Sequence, residues 1–160
     1  MVKLGAMAVL TLGDEIYELL RDLSSGLPEG TAVLARQRSK DPAGGEDIER
    51  TPANPNSARI SLHPAGDIIY AAIGRNTTIE LFVSSRKQER QERENLRKIS
   101  RAVIEGKFSE DVWILDGKIV RSSGIVETDG RTQKIGGFFG LFNPLRRKQK
   151  QRYDYAPYLS

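Results

Sequence analysis

His63 is the only imidazole in the chain, and there is no cysteine. These two facts remove much of the chemistry open to a small protein. A histidine-based metal site needs more than one such ligand, and a thiolate site or a Cys–His pair needs cysteine. His63 precedes Pro64 at the end of a strand-like run and reads as a turn or strand-edge residue. No serine lies in a nucleophile-elbow sequence. Carboxylates are the other route. Glu110, Asp111 and Asp116 flank Trp113, and Glu80 lies on an earlier hairpin. Paired carboxylates can hold Mg²⁺ or divide acid and base roles. However, Asp116 is accounted for by an Asp-Gly turn, and Glu110-Asp111 reads as the approach to a strand. Gly136 to Gly140 lacks the Lys-Ser/Thr ending and the strand–loop–helix order of a phosphate loop. No catalytic, cofactor-binding or metal-ligating residue is expected.

Binding is better represented. Phe138, Phe139 and Phe142 stand among glycines just ahead of Arg146, Arg147, Lys148, Lys150 and Arg152, and Tyr153 and Tyr155 follow at once. Rings beside cations suit three partners. They can lie on an anionic membrane surface, follow a nucleic-acid backbone through residues 145–155, or dock on another protein. The plainer expectation is that Phe138 to Phe142 folds back as a close-packed irregular strand, leaving a solvated tail. Trp113 sits in the run Val-Trp-Ile-Leu, which reads as a central strand covered on both sides. Were it exposed, it would be an interface anchor.

The elements that must position these residues follow from periodicity. Leu12, Ile16, Leu19, Leu20 and Leu23 form one helical stripe, with Thr11 and Asp14 as a capping signal and Gly26 and Pro28 as the stop, so a helix is expected over about 13–24. Residues 31–37 are strand-like. Residues 38–57 hold three prolines, an adjacent glycine pair and Ile48 as the one aliphatic anchor beyond alanine, and read as a flexible loop. Alternation at 58–63, 68–73 and 77–83, joined by short turns, predicts an antiparallel meander. A charged helix should then run from Ser84 or Ser85 to about Glu105. Its first half carries no apolar residue, while Leu96, Ile99, Ala102 and Val103 form its buried face. Asp116-Gly117 and Asp129-Gly130 are strong hairpin signals and predict a second meander over 112–135.

Together these predict an α+β fold: a mostly antiparallel sheet of six to seven strands, two helices packed on one face, and an irregular basic C-terminal tail. Residues 1–143 would form a single domain and 144–160 the tail. With 160 residues the chain can bury its own core without disulfides or metals.

Net charge is +4. From Arg131 onward there are seven basic residues against Asp154 alone, so the first 130 residues total about −2 and the basicity belongs to one end. The apolar run Leu4 to Leu12 leads into Asp14 and Glu15, and reads as a strand or helix start more readily than as a leader. A cytoplasmic location is the expectation. The functional expectation is a non-catalytic protein-binding domain, with an immunity-type inhibitor that blocks a toxin or enzyme active site sterically as its concrete form. The rival is a nucleic-acid-associated accessory protein acting through the basic, aromatic C-terminus.

Overall fold

The computed structural model describes residues 10–40, 42, 44–140 and 146–159. The apolar run that begins at Leu4, and Phe142, fall outside the described residues in whole or in part. Helix α1 (Leu12–Ser24) opens with the expected cap: Thr11 Oγ1 accepts from the Asp14 N–H, and Asp14 Oδ2 accepts from the Thr11 N–H at 2.8 Å. Its apolar stripe buries Ile16, Leu19 and Leu20.

Five strands follow: β1 (Ala32–Arg38), β2 (Glu46–Pro52), β3 (Ile60–Ala65), β4 (Ile68–Ile73) and β5 (Thr77–Phe82). They pair in sequence order as an antiparallel sheet. Alternate residues face inward. Ile48, Ile60, Leu62, Ile69, Ala71, Ile73 and Leu81 meet the apolar faces of both helices in one core.

Helix α2 (Arg86–Ile104) starts at the Ser85 cap and buries Leu96, Ile99, Ala102 and Val103. A second sheet follows, with β6 (Phe108–Leu115), β7 (Lys118–Thr128), β8 (Arg131–Gly136) and β9 (Gln149–Asp154) in the order β8-β7-β6-β9, all antiparallel. Both Asp-Gly turns have the expected form, with positive φ at Asp116, Gly117, Asp129 and Gly130.

The class is α+β as expected, but among the described residues nine strands in two sheets replace one sheet of six to seven, and the additional strands have two sources. Part of the expected 38–57 loop is β2. Its inward positions are Ile48 and Arg50, so an arginine occupies a core position and hides the alternation. The Arg50 side chain is 2% exposed, donates from Nη1 to Leu20 O at 3.1 Å and lies 5.6 Å from the Tyr158 ring. A cation at the carbonyl end of α1 meets the negative pole of that helix. Burial lowers the Arg50 pKa from its ordinary value.

The expected irregular tail supplies the other missing strand, β9, which pairs with β6 from Ser109↔Asp154 to Ile114↔Gln149. The chain then crosses back to the first sheet. The Ala156 N–H donates to Asn56 O, the Tyr158 N–H to Ile104 O, and the Tyr158 hydroxyl to Ala58 O at 2.8 Å. Tyr158 is buried with the core. The C-terminal segment is a strap that closes the fold, not an appendage.

Candidate functional site

Strand β6 lies between β7 and β9, and its two faces do different work. Glu110 and Phe108 point toward the first sheet. Four donors converge on the buried Glu110 carboxyl: the Tyr155 hydroxyl at 2.5 Å, the Asn76 N–H at 2.8 Å, the Thr77 hydroxyl at 2.7 Å and the Arg75 N–H at 3.2 Å. Glu110 therefore clamps the β4–β5 turn to the second sheet. Burial, followed by the hydrogen bond to Glu110, raises the Tyr155 pKa well above its ordinary value. Tyr155 also stacks on Phe108 with centroids 5.2 Å apart. Tyr153 lies beside the same turn, 5.6 Å from the Arg75 guanidinium. Tyr155 is thus occupied inside the fold, and Tyr153 lies half-buried at the surface against the exposed Arg75.

The opposite face of β6 carries Asp111 and Trp113. In the cross-strand register Trp113 stands beside Arg121 of β7 and Lys150 of β9, and Asp111 stands beside Arg152 of β9. The Arg121 guanidinium is 4.5 Å from the centre of the Trp113 ring, and the Lys150 ammonium is 5.4 Å from it. Arg121 is also 5.8 Å from the Phe139 ring. Contacts of this kind are worth about 0.5–1 kcal/mol each at exposed sites.

Phe139 reaches this face because the chain bends sharply after β8. At Gly136 and Gly137 a side-chain carbon would lie 2.4 Å from Thr78 O and 2.1 Å from Ser122 O, and both residues have positive φ. Only glycine allows so close a backbone approach. Residues 138–140 then run along β7, with the Gly140 N–H donating to Val120 O and the Ser122 N–H to Phe138 O. The backbone docks as the sequence suggested, yet the rings do not tuck in. Phe138 is 48% exposed and Phe139 71%.

The cations of this region hold acids. Lys150 Nζ is 2.8 Å from Asp111 Oδ2. Arg152 Nε donates to Asp154 Oδ1 at 3.1 Å, and its Nη2 to Ser109 Oγ at 2.9 Å. Arg146 grips Asp116 of the β6–β7 turn through both terminal nitrogens, at 2.7 and 3.4 Å. Arg147 is exposed, and Lys148 is half-buried.

Of the residues singled out from sequence, the fold brings Trp113, Phe139, Lys150 and Arg152 onto one face, with Phe138 and Arg146 beside it. Tyr153 and Tyr155 sit on the other side of the sheet. Sequence reasoning missed Arg121, the residue that joins Trp113 to Phe139. Counting back from the Asp116-Gly117 turn places Val120 opposite Trp113. A bulge between Trp113 and Ile114 shifts the register by one and puts Arg121 there instead. Nothing in the sequence marks that bulge.

The carboxylates and the imidazole considered for catalysis are dispersed. Glu110 serves the clamp, Asp111 pairs with Lys150, and Asp116 holds Arg146. His63 Nδ1 is 2.9 Å from Asp47 Oδ1 on the outer face of the first sheet. Among the described residues no three His, Asp or Glu side chains converge as a metal ion would require. Among the same residues no helix is long and apolar enough to cross a membrane.

Comparison with protein-family models, with curated proteins and with solved structures found no match. The functional reading rests on this chain's own side chains.

Proposed function

We propose that the protein is a non-catalytic, cytoplasmic binding domain that docks on another protein through the outer face of β6, β7 and β9. The observation that carries this reading is the Trp113–Arg121–Phe139 cluster. Tryptophan and arginine are the residue types that dominate binding energy at protein interfaces, and a large exposed ring beside them supplies apolar area. Steric occlusion of a toxin's or enzyme's active site, as an immunity-type inhibitor achieves it, is the specific form of this binding that we put forward.

The rival, nucleic-acid binding through the C-terminal basic residues, draws less support. Arg146, Lys150 and Arg152 already hold Asp116, Asp111 and Asp154. Tyr153 and Tyr155, the rings expected to stack on bases, are engaged with Arg75 and Glu110.

The test is affinity capture from native lysate with the intact protein and with Phe139→Ser and Arg121→Ala. Both changed positions lie on the surface cluster, so folding should be spared. The expected result is a partner retained by the wild-type chain and lost by both variants. A partner held equally by all three would refute the assignment to this face.

A further inference from the structure

Helix α2 carries seven basic residues against Glu89, Glu92 and Glu94, a surplus of four that equals the net charge of the whole chain. Five of the seven are arginines at positions 86, 90, 93, 97 and 101. Spacings of four, three, four and four residues keep all five on one edge of an α-helix, over about 22 Å at 1.5 Å per residue.

Their pairing is uneven. Arg93 lies 3.0 Å from Glu15 of α1 and 3.9 Å from Glu89, and Arg97 lies 4.0 Å from Glu94. Arg86, Arg90 and Arg101 are exposed and have no acid within ion-pair distance among the described residues. The acids of α1 border the middle of this edge, where Glu15, Glu18 and Asp22 line a hollow with Arg90, Arg93 and Arg97, and leave its two ends, at Arg86 and Arg101, outside that hollow. Glu15 is taken by Arg93 and Glu18 by Arg21, and Asp22, the third acid that α1 supplies to the hollow, has no ion pair among the described residues.

Two features separate this edge from a protein-docking face. Residues 86–95 contain no apolar side chain; Glu89 and Glu94 flank the arginine edge, and Gln88, Gln91 and Asn95 lie on the other side of the helix. A protein interface needs a desolvated apolar centre, which this edge lacks. Phosphates need none, because counterion release drives their binding. The second feature is placement. Arg86 and Lys87 occupy the first turn of α2, at the positive pole of the helix, where basic residues are disfavoured. A bound polyanion would relieve that repulsion.

We propose that the arginine edge of α2 is a nucleic-acid backbone site, contacting phosphates through the Arg86, Arg90 and Arg101 guanidiniums without reading sequence. A guanidinium forms two parallel hydrogen bonds to a phosphate, which a lysine cannot do. This site is separate from the Trp113 face and does not depend on the protein-docking reading.

The experiment is a fluorescence-anisotropy titration of the full chain with a labelled oligothymidylate and with a mixed-sequence duplex, across a salt series. The triple variant Arg86→Gln/Arg90→Gln/Arg101→Gln is compared with wild type and with Arg121→Ala from the other face. Circular dichroism checks that each variant is folded. Wild type and Arg121→Ala should bind alike. The triple variant should lose about tenfold or more, with a log–log salt slope shallower by about 2–3, as expected for three lost phosphate contacts. Unchanged binding by the triple variant would overturn the proposal. So would loss of binding on Arg121→Ala alone, no binding to either probe at low salt, or tighter binding to polyglutamate than to both nucleic acids.

Discussion

The Tyr155 hydroxyl donates to the Glu110 carboxyl at 2.5 Å, and both accept from or donate to groups that tie the two sheets together. Tyr155 follows directly on β9, Glu110 lies on β6, and the turn they grip, Gly74-Arg75-Asn76, joins β4 to β5. Replacing Glu110 by leucine leaves the Asn76 N–H and the Thr77 and Tyr155 hydroxyls without their buried acceptor. The expected cost is about 3–5 kcal/mol, since each orphaned donor costs roughly 1–3 kcal/mol with partial relaxation. Tyr155→Phe removes one of four donors and should cost about 1–2 kcal/mol. Urea unfolding of the two variants checks the order, and equal losses would show that Tyr155 carries the clamp alone.

The strap beyond β9 should be indispensable to folding. Tyr158 is 3% exposed, and its hydroxyl donates to Ala58 O. Tyr158→Ala is expected to cost about 3–5 kcal/mol, in the range of large aromatic deletions. A chain ending at residue 143 would also lose β9 and expose an edge of β6, so it should fail to show a cooperative thermal transition. A sharp melt from that truncation would mean that the strap merely decorates a self-sufficient domain.

Glycine at the turn after β8 can be tested directly. Gly137→Ala places a carbon against Ser122 O and demands positive φ from a residue that disfavours it. The expected destabilisation is about 2–3 kcal/mol. Displacement of Phe139 from Arg121 should accompany it, so partner capture should weaken even where the variant remains folded. Thermal melts and capture measured together separate the two effects.

Acid titration should report on the α1 cap. The hydrogen bonds from the Thr11 hydroxyl and backbone N–H, followed by the Arg36 guanidinium, hold the Asp14 pKa down from 3.8 to about 2. A carboxyl with a lowered folded-state pKa stabilises the fold above its ordinary value, and that stabilisation is lost as pH falls from about 4 toward 2. Asp14→Asn should flatten this limb of the stability–pH curve, lowering stability above about pH 4 and converging with wild type toward pH 2, as melts at stepped pH would show. Asp14 is open to solvent, so the effect should shrink as salt is raised.

The legible parts of this protein are those whose signals are local. Thr11 and Asp14 announced α1 because a cap is built from residues three apart. Asp116-Gly117 and Asp129-Gly130 announced their hairpins because a two-residue turn demands positive φ from both residues. Strands β3, β4 and β5 announced themselves through Ile60, Leu62, Ile69, Ile73, Ile79 and Leu81, which keep the period of two that a half-buried sheet requires. Strands β2 and β9 did not, because Arg50 fills a core position in one and charged residues line the exposed edge formed by the other.

The sequence by itself determined the α+β class, both helices and the hairpin turns, since propensity, capping and alternation act within a few residues. Tertiary structure alone decided that Gln149–Asp154 would join β6, that Tyr158 would enter the core, and that Arg121 would stand against Trp113 in place of Val120. Each of those outcomes depends on pairing between distant segments or on a one-residue bulge. In a sheet, a slip of one residue turns every side chain to the opposite face, so the face that carries Trp113, Arg121 and Phe139 exists only once the register is set.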